Sequence, residues 1–468
     1  MRSRRGLAAA LVALLALGGL ALWLASPGAL RRAPPGPARS VAEALSGGPV
    51  EGFARATAPR PIEFPRDHGP HPEYRTEWWY YTGNLRAAGG RDLGFQLTFF
   101  RSALSPDAPP RRSAWAASQV YLAHFAVTDV RGGRFRAWSR AGRGALDLAG
   151  ARAEPYRVWI DTWAAEAAGH ASPSVRLRAA EDGVAIDLIL EPGKPPVLQG
   201  EVGLSRKGPE PGNASYYYSL TRMPARGTVE LAGERLSVEG LAWMDHEWST
   251  SALSPDLAGW DWFALQLDDG RDLMLYRLRR RDGGASPWSA GSVVEADGRA
   301  RTLAADDVRV EALGRWTSPR SGATYPAGWR VAWPAGDLVL ELAPRLPDQE
   351  LDVGFRYWEG AVTLRGTARG RQVGGVGYVE LVGYERASGR DSRPGGRISG
   401  APASRAGPHR RSVREGGAAG ASLDPGARNL AIRGIRAPRS TVLERQPPKH
   451  GSRETPAAPP SRTRPHSR

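Results

Sequence analysis

The chain has 468 residues, 16 tryptophans and no cysteine, a length that allows two or three domains and a composition that excludes disulfides and thiolate metal sites. Its formal net charge of +16 is unevenly placed, because residues 389–468 hold 17 Lys and Arg against 5 Asp and Glu. The remaining body is close to neutral and exerts no overall pull on a polyanion, which argues against nucleic acid as a partner of the folded part.

Arg2, Arg4 and Arg5 precede an uninterrupted apolar run, Gly6 to Ala25, which Ser26-Pro27-Gly28 closes. This pattern predicts an export signal over residues 1–30, either cleaved or kept as a single membrane-anchoring helix. The bulk of the protein is then expected outside the cytoplasmic membrane, in a periplasmic, extracellular or outward-facing anchored location. Residues 31–56 are rich in Pro, Ala and Gly and read as a linker.

From 57 to 388 the text becomes short runs of period-two alternation separated by Gly, Asp and Pro. Examples are Gly94 to Phe100, Val120 to Val127, Ser215 to Leu220, Trp262 to Leu267, Tyr357 to Leu364 and Gly375 to Val382. Many short strands at this spacing predict an all-β antiparallel fold. Some 330 residues exceed one small barrel, so two tandem barrels are expected, 57–249 and 250–388. Residues 389–468 contain no Trp, Tyr or Phe and cannot bury enough apolar surface to order themselves, so a disordered tail is expected.

The chemistry-bearing residues cluster in four places. In Glu77-Trp78-Trp79-Tyr80-Tyr81 both strand faces carry aromatic rings, so Trp78, Trp79 and Tyr81 are candidate ligand contacts. The nearby His68 and His71 read as turn elements rather than metal ligands. His124 is the one group in an apolar strand that titrates near neutral pH, a candidate base or hydrogen-bond anchor. Tyr217 belongs to a run of three tyrosines. The richest stretch is Trp243-Met244-Asp245-His246-Glu247-Trp248, followed by Trp260-Asp261-Trp262. Strand alternation puts Asp245 and Glu247 side by side on one face, where two close carboxyls favour a protonated acid. Asp245, His246, Glu247 and Asp261 are therefore the catalytic candidates, with Trp248, Trp260 and Trp262 as apolar wall. The same residues also fit a purely structural role, capping strand ends between two barrels.

Thr76 to Leu85, Trp243 to Trp248, Gly259 to Phe263, Tyr357 to Val362 and Gly374 to Tyr384 occur in that order. Together they resemble the lipocalin-like AttH / carotenoid 1,2-hydratase (hydroxyneurosporene synthase) superfamily over about residues 57–388. The resemblance implies two tandem lipocalin-like barrels around a site for an apolar ligand. It also implies an aspartic acid as proton donor, a role that Asp245 or Asp261 matches. Two readings stand side by side. One is an exported protein that binds an apolar small molecule or lipid, with an ABC transporter as partner. The other is a hydratase that adds water to an isoprenoid or carotenoid double bond by acid catalysis. Neither requires a cofactor.

Overall fold

The computed structural model describes residues 39–40, 50–107, 113–169, 172–251 and 253–384. The expected signal or anchor and the expected tail lie outside these residues. The described part is almost entirely antiparallel β-structure, with three single-turn 3-10 helices, as the alternating pattern predicts. Within the expected linker, Arg39–Ser40 forms a two-residue strand parallel to Phe355–Arg356.

Two large sheets follow one another along the chain. The first has thirteen strands between Thr76 and Ser249, the second is built mainly from strands between Leu257 and Val382. The strand Val184–Leu190 illustrates why these segments fold as they do. Val184, Ile186, Leu188 and Leu190 are buried and the residues between them are half-buried, so one pleated face meets the core. The first sheet rolls nearly shut. At its two ends a Cβ on Gly142 would lie 2.9 Å from the Cβ of Ala149. Arg140 pairs with Glu181 at 2.7 Å, and Trp138 Nε1 donates to Asp182 at 2.8 Å across the same seam.

Four apolar clusters result among the described residues, and the three largest position the site. Trp79, Phe95, Phe125, Trp163 and Trp248 fill the first barrel. Phe263, Leu265, Trp329, Trp358 and Val379 fill the hollow of the second sheet. The third lies between the sheets and holds Tyr80, Tyr217, Trp243, Trp262, Tyr276 and Tyr378. Side-chain amides help to fix this contact: Asn84 Nδ2 donates to Gly377 O at 2.9 Å, and Gln266 Nε2 donates to Thr221 O at 2.8 Å and Ala242 O at 3.0 Å. The sheets approach closely at Gly94, where a Cβ would lie 2.8 Å from the Cβ of Ala361.

The central strands of both sheets are thus buried on both faces, which explains their two-sided aromatic text. Thr76–Ala87 and Glu234–Ser249 are hydrogen-bonded neighbours, with Tyr80 opposite Asp245 and Trp78 opposite Glu247. In the second sheet Trp262 stands opposite Glu380, and Glu380 opposite Glu359. These registers bring the ionisable groups of the two sheets to one inter-sheet space.

Candidate functional site

A chamber of about 150 Å3 lies between the sheets. Its aromatic wall includes Trp78, Tyr80 and Phe100 from the first sheet and Trp260, Trp262 and Tyr276 from the second. Four carboxyl groups, Asp245, Glu247, Glu359 and Glu380, and one ammonium group, Lys207, face it.

Asp245 is held by three donors. Tyr217 O–H and Ser219 O–H each donate at 2.6 Å, and Trp243 Nε1 donates at 2.8 Å. Burial pushes its carboxyl up to about 7, against the pull of those hydrogen bonds. Glu380 accepts one long bond, from Trp260 Nε1 at 3.3 Å. Burial, with the neighbouring charges of Asp245 and Glu247 adding to it, pushes Glu380 up to about 7 as well. Glu359 accepts from Tyr80 O–H, while its Oε2 is buried without a hydrogen-bond partner. It stands directly opposite Glu380 in the ladder, where two like charges repel. Burial and then Glu380 hold its carboxyl well above the usual range. Glu247 instead lies 3.4 Å from Lys207 and accepts from Ser215. Burial opposes the Lys207 charge, but Glu247 and Tyr276 hold its ammonium above the ordinary value, and it sits 3.9 Å over the Tyr276 ring. The chamber is thus an apolar box that holds one ion pair and three carboxyl groups, Asp245, Glu359 and Glu380, whose proton affinity burial raises.

Of the residues singled out in the sequence, the structure brings together Asp245, Glu247, Trp78, Tyr217, Trp260 and Trp262. It sends the others elsewhere, because alternate residues of a strand point to opposite faces. Trp79 and Trp248 pack inside the first barrel. Tyr81 does too, with its hydroxyl 2.6 Å from that of Tyr156. His246 also faces the barrel interior, with Nε2 2.8 Å from Glu77 Oε1 and its ring stacked on Trp79. Asp261 is a catalytic candidate of the sequence, between two indoles. It lies on the opposite face from Trp260 and Trp262, paired with Arg279 at 2.8 Å and accepting from Tyr384 O–H at 2.9 Å. His124 reaches the chamber through a partner: its Nδ1 is 2.7 Å from the hydroxyl of Tyr357, which lines the wall. Burial lowers His124 to about 3, so the ring is a neutral anchor for that phenol.

Lys207, Glu359 and Glu380 were not singled out. Glu359 and Glu380 lie inside two of the family-like runs, Tyr357 to Val362 and Gly374 to Tyr384, and an isolated acid in an otherwise apolar strand was the available signal. Lys207 carries no comparable signal.

Among the described residues His71, Glu77 and His246 offer metal-type ligand atoms within 4.8 Å of one another. Their contacts are already those of a hydrogen-bonded brace. His71 Nδ1 and His246 Nε2 both lie on Glu77 Oε1, at 2.7 and 2.8 Å, while Glu77 Oε2 accepts from Arg101 Nε at 2.8 Å and from the His71 backbone N–H at 2.9 Å. Arg101 supplies the positive charge that a cation would bring. Against the cost of burial, Arg101, His246 and His71 hold the Glu77 carboxyl well below its ordinary value.

These opposite shifts set the pH dependence of stability. Asp245 and Glu380 bind protons more tightly folded than unfolded, so their contribution is full below the unfolded value of about 4 and is lost as pH rises toward about 7. Glu77 and Asp67 are depressed, so theirs is lost only as pH falls below about 4. Burial lowers His68, His124 and His246, and their contribution is lost instead as pH falls below the unfolded value of about 6.5. The carboxyl contribution is isolated by comparison: in an Asp245→Asn/Glu380→Gln double variant the change in melting temperature from about pH 8 to about pH 5 should be less favourable than in the wild type.

Known proteins match this chain in both sequence and fold. The sequence model of the AttH-like family matches residues 55–384. The crystal structure of an AttH protein from Nitrosomonas europaea is 38% identical, with a TM-score of 0.63, over 71% of this chain and all of that one. Kievitone hydratase from Nectria haematococca shares the fold at 15% identity and a TM-score of 0.55, over 71% of this chain and 96% of that one. Two curated relatives are a kievitone hydratase from Fusarium solani subsp. phaseoli, 24% identical over 225 residues, and dehydratase asqC from Emericella nidulans, 24% identical over 221. These alignments cover 44% and 45% of this chain, and 59% and 61% of the two relatives.

Proposed function

The chain belongs to the AttH-like family, and we propose that its inter-sheet chamber is the active site of a hydro-lyase that adds water to, or removes it to form, a carbon–carbon double bond in an apolar small molecule. One observation carries this reading. Two carboxyl groups on opposite sheets, Asp245 and Glu380, face one aromatic chamber, the first tied by three donors and the second by one. Three donors favour the charged form, so Asp245 is the site that carries the charge and Glu380 the site that carries the proton. The names of the curated relatives, a hydratase and a dehydratase, favour this reading over simple ligand carriage.

In hydration, Glu380 donates its proton to one alkene carbon. Positive charge develops on the other carbon, against the rings of Trp78, Trp260 and Trp262. A water oxygen bonds to that carbon and its proton passes to the Asp245 carboxylate. Proton exchange with solvent then restores both groups. Dehydration is the same sequence reversed. A cavity of about 150 Å3 is smaller than a typical whole-ligand pocket of about 300–1,000 Å3, so it suits the reacting end of a substrate, such as a prenyl group, with the rest outside.

The test is turnover of a panel of prenyl-substituted phenols and aliphatic isoprenoid alkenes, and of the matching tertiary alcohols, followed by mass spectrometry. A bell-shaped rate profile with its maximum near about pH 7 is expected, because the two carboxyls titrate as a coupled pair. Binding without turnover across the whole panel would leave ligand carriage as the function and sink the hydro-lyase.

A further inference from the structure

A second cavity, of about 550 Å3, lies outside the first barrel, between the strand Gln119–Asp129 and Phe355 of the second sheet. Leu122 and His124 line it, while the alternating Ala123 and Phe125 fill the barrel. This outer cavity adjoins the chamber: Phe100 belongs to both walls, and Tyr357 of the chamber wall is hydrogen-bonded to His124. It reaches the surface at Ala141 and Arg143, which are exposed.

We infer that the outer cavity holds the body of the molecule whose alkene end enters the chamber, and that a neutral carbonyl oxygen on that body accepts a hydrogen bond from His124 Nε2. The inference rests on the proposed function only in taking the chamber as the seat of the alkene.

His124 carries the argument. It is 0% exposed, and its Nε2 is buried without a hydrogen-bond partner in the protein, an arrangement that costs free energy unless a ligand pairs with it. Its ring packs against Phe100 and Phe355, both of the outer cavity, with centroids 5.4 and 6.0 Å away. Nδ1 is spent on Tyr357 in the chamber wall, so Nε2 is the nitrogen left for the outer cavity. The hydrogen-bond network also assigns the tautomer. Gln96 Nε2 donates to the Tyr357 oxygen at 3.1 Å, which leaves the phenol proton for His124 Nδ1, 2.7 Å away. Burial keeps the imidazole neutral, and a neutral ring whose Nδ1 accepts carries its one proton on Nε2. Nε2 is therefore a donor without an acceptor. A carboxylate there would exchange its hydration for one uncharged donor, whereas a ketone oxygen gives up far less. The other polar groups of the wall are placed differently. Tyr121 O–H donates to Gln119 Oε1 at 3.0 Å, Ser102 is half-buried, and Arg143 stands at the mouth. The volume lies within the usual range for a ligand pocket, about 300–1,000 Å3, which the chamber does not reach.

Sulcatone, geranylacetone and farnesylacetone are methyl ketones that end in the same prenyl alkene and differ in the spacing from alkene to carbonyl. Each would be compared with the hydrocarbon in which a methylene replaces the carbonyl, by equilibrium dialysis against the full-length protein, so that binding is read without turnover. At one spacing the ketone should bind about tenfold more tightly than its hydrocarbon. His124→Phe keeps the ring contacts, removes the donor and should erase that preference while leaving the hydrocarbon affinity unchanged. Ala141→Trp, at an exposed position of the wall, should erase it too while keeping the wild-type melting temperature. Ser102→Ala and Arg143→Ala remove the two other donors and should leave the preference intact. Equal affinity of every ketone and its hydrocarbon, a preference that survives Ala141→Trp or a folded His124→Phe, or one lost in Ser102→Ala or Arg143→Ala would each overturn the proposal. The expected binding pattern without any turnover would remove the hydro-lyase and leave the outer site standing.

Discussion

Glu380→Gln is expected to lower hydro-lyase turnover by about 100-fold or more, the usual contribution of a positioned general acid. Glutamine keeps the shape of the protonated acid and can still accept from Trp260 Nε1, but it has no proton to give. The substitution also removes one of two carboxyls that stand opposite each other in the ladder, so the melting temperature should hold or rise. A fall in turnover with an intact melt is therefore attributable to chemistry. Asp245→Asn should also slow the reaction, and it should remove one limb of the pH profile rather than shift the whole curve. Full turnover in Glu380→Gln with none in Asp245→Asn would move the proton donor to Asp245. Full turnover in both would remove the carboxyl pair from the mechanism.

The second large effect concerns folding. Arg101→Met is expected to destabilise the protein by about 3–5 kcal/mol, the cost of leaving one partner of a buried ion pair uncompensated. Both side chains, Arg101 and Glu77, are 0% exposed, at 2.8 Å. Arg101 also donates to the carbonyls of His71 and Tyr74, at 2.8 and 2.9 Å, and methionine leaves both without that donor. Urea unfolding followed by fluorescence measures the loss. Breaking the exposed pair Arg299–Asp297 by Arg299→Met is the control and should change little, because solvent screens such pairs. Equal effects at the two sites would show that the Arg101–Glu77 brace is not a stability element.

Much of this architecture was legible in the residues. Alternation located the strands and placed Asp245 beside Glu247 on one face, because the side-chain period of a strand is fixed. The same rule carried a signal against Asp261: a residue between Trp260 and Trp262 must face away from both. What alternation alone could not decide was which face met the ligand space. In Glu77 to Tyr81 and Trp243 to Trp248 both faces carry aromatic rings, since one packs in the first barrel and the other against the second sheet. Trp79, Tyr81, Trp248 and His246 consequently belong to the barrel side. Glu359 and Glu380 join the chamber through sheet-on-sheet packing, a contact between segments more than a hundred residues from Asp245 that no local pattern encodes.

The central claim is that water chemistry occurs between the sheets, and the transfer of solvent oxygen tests it most directly. Wild-type protein and the Glu380→Gln variant would be incubated with a prenyl alkene in heavy-oxygen water and the product alcohol weighed by mass spectrometry. The account predicts one solvent-derived oxygen per product molecule with the wild type and about 100-fold less labelled product with the variant. Labelled alcohol formed equally by both proteins, or by neither across the substrate panel, would contradict it.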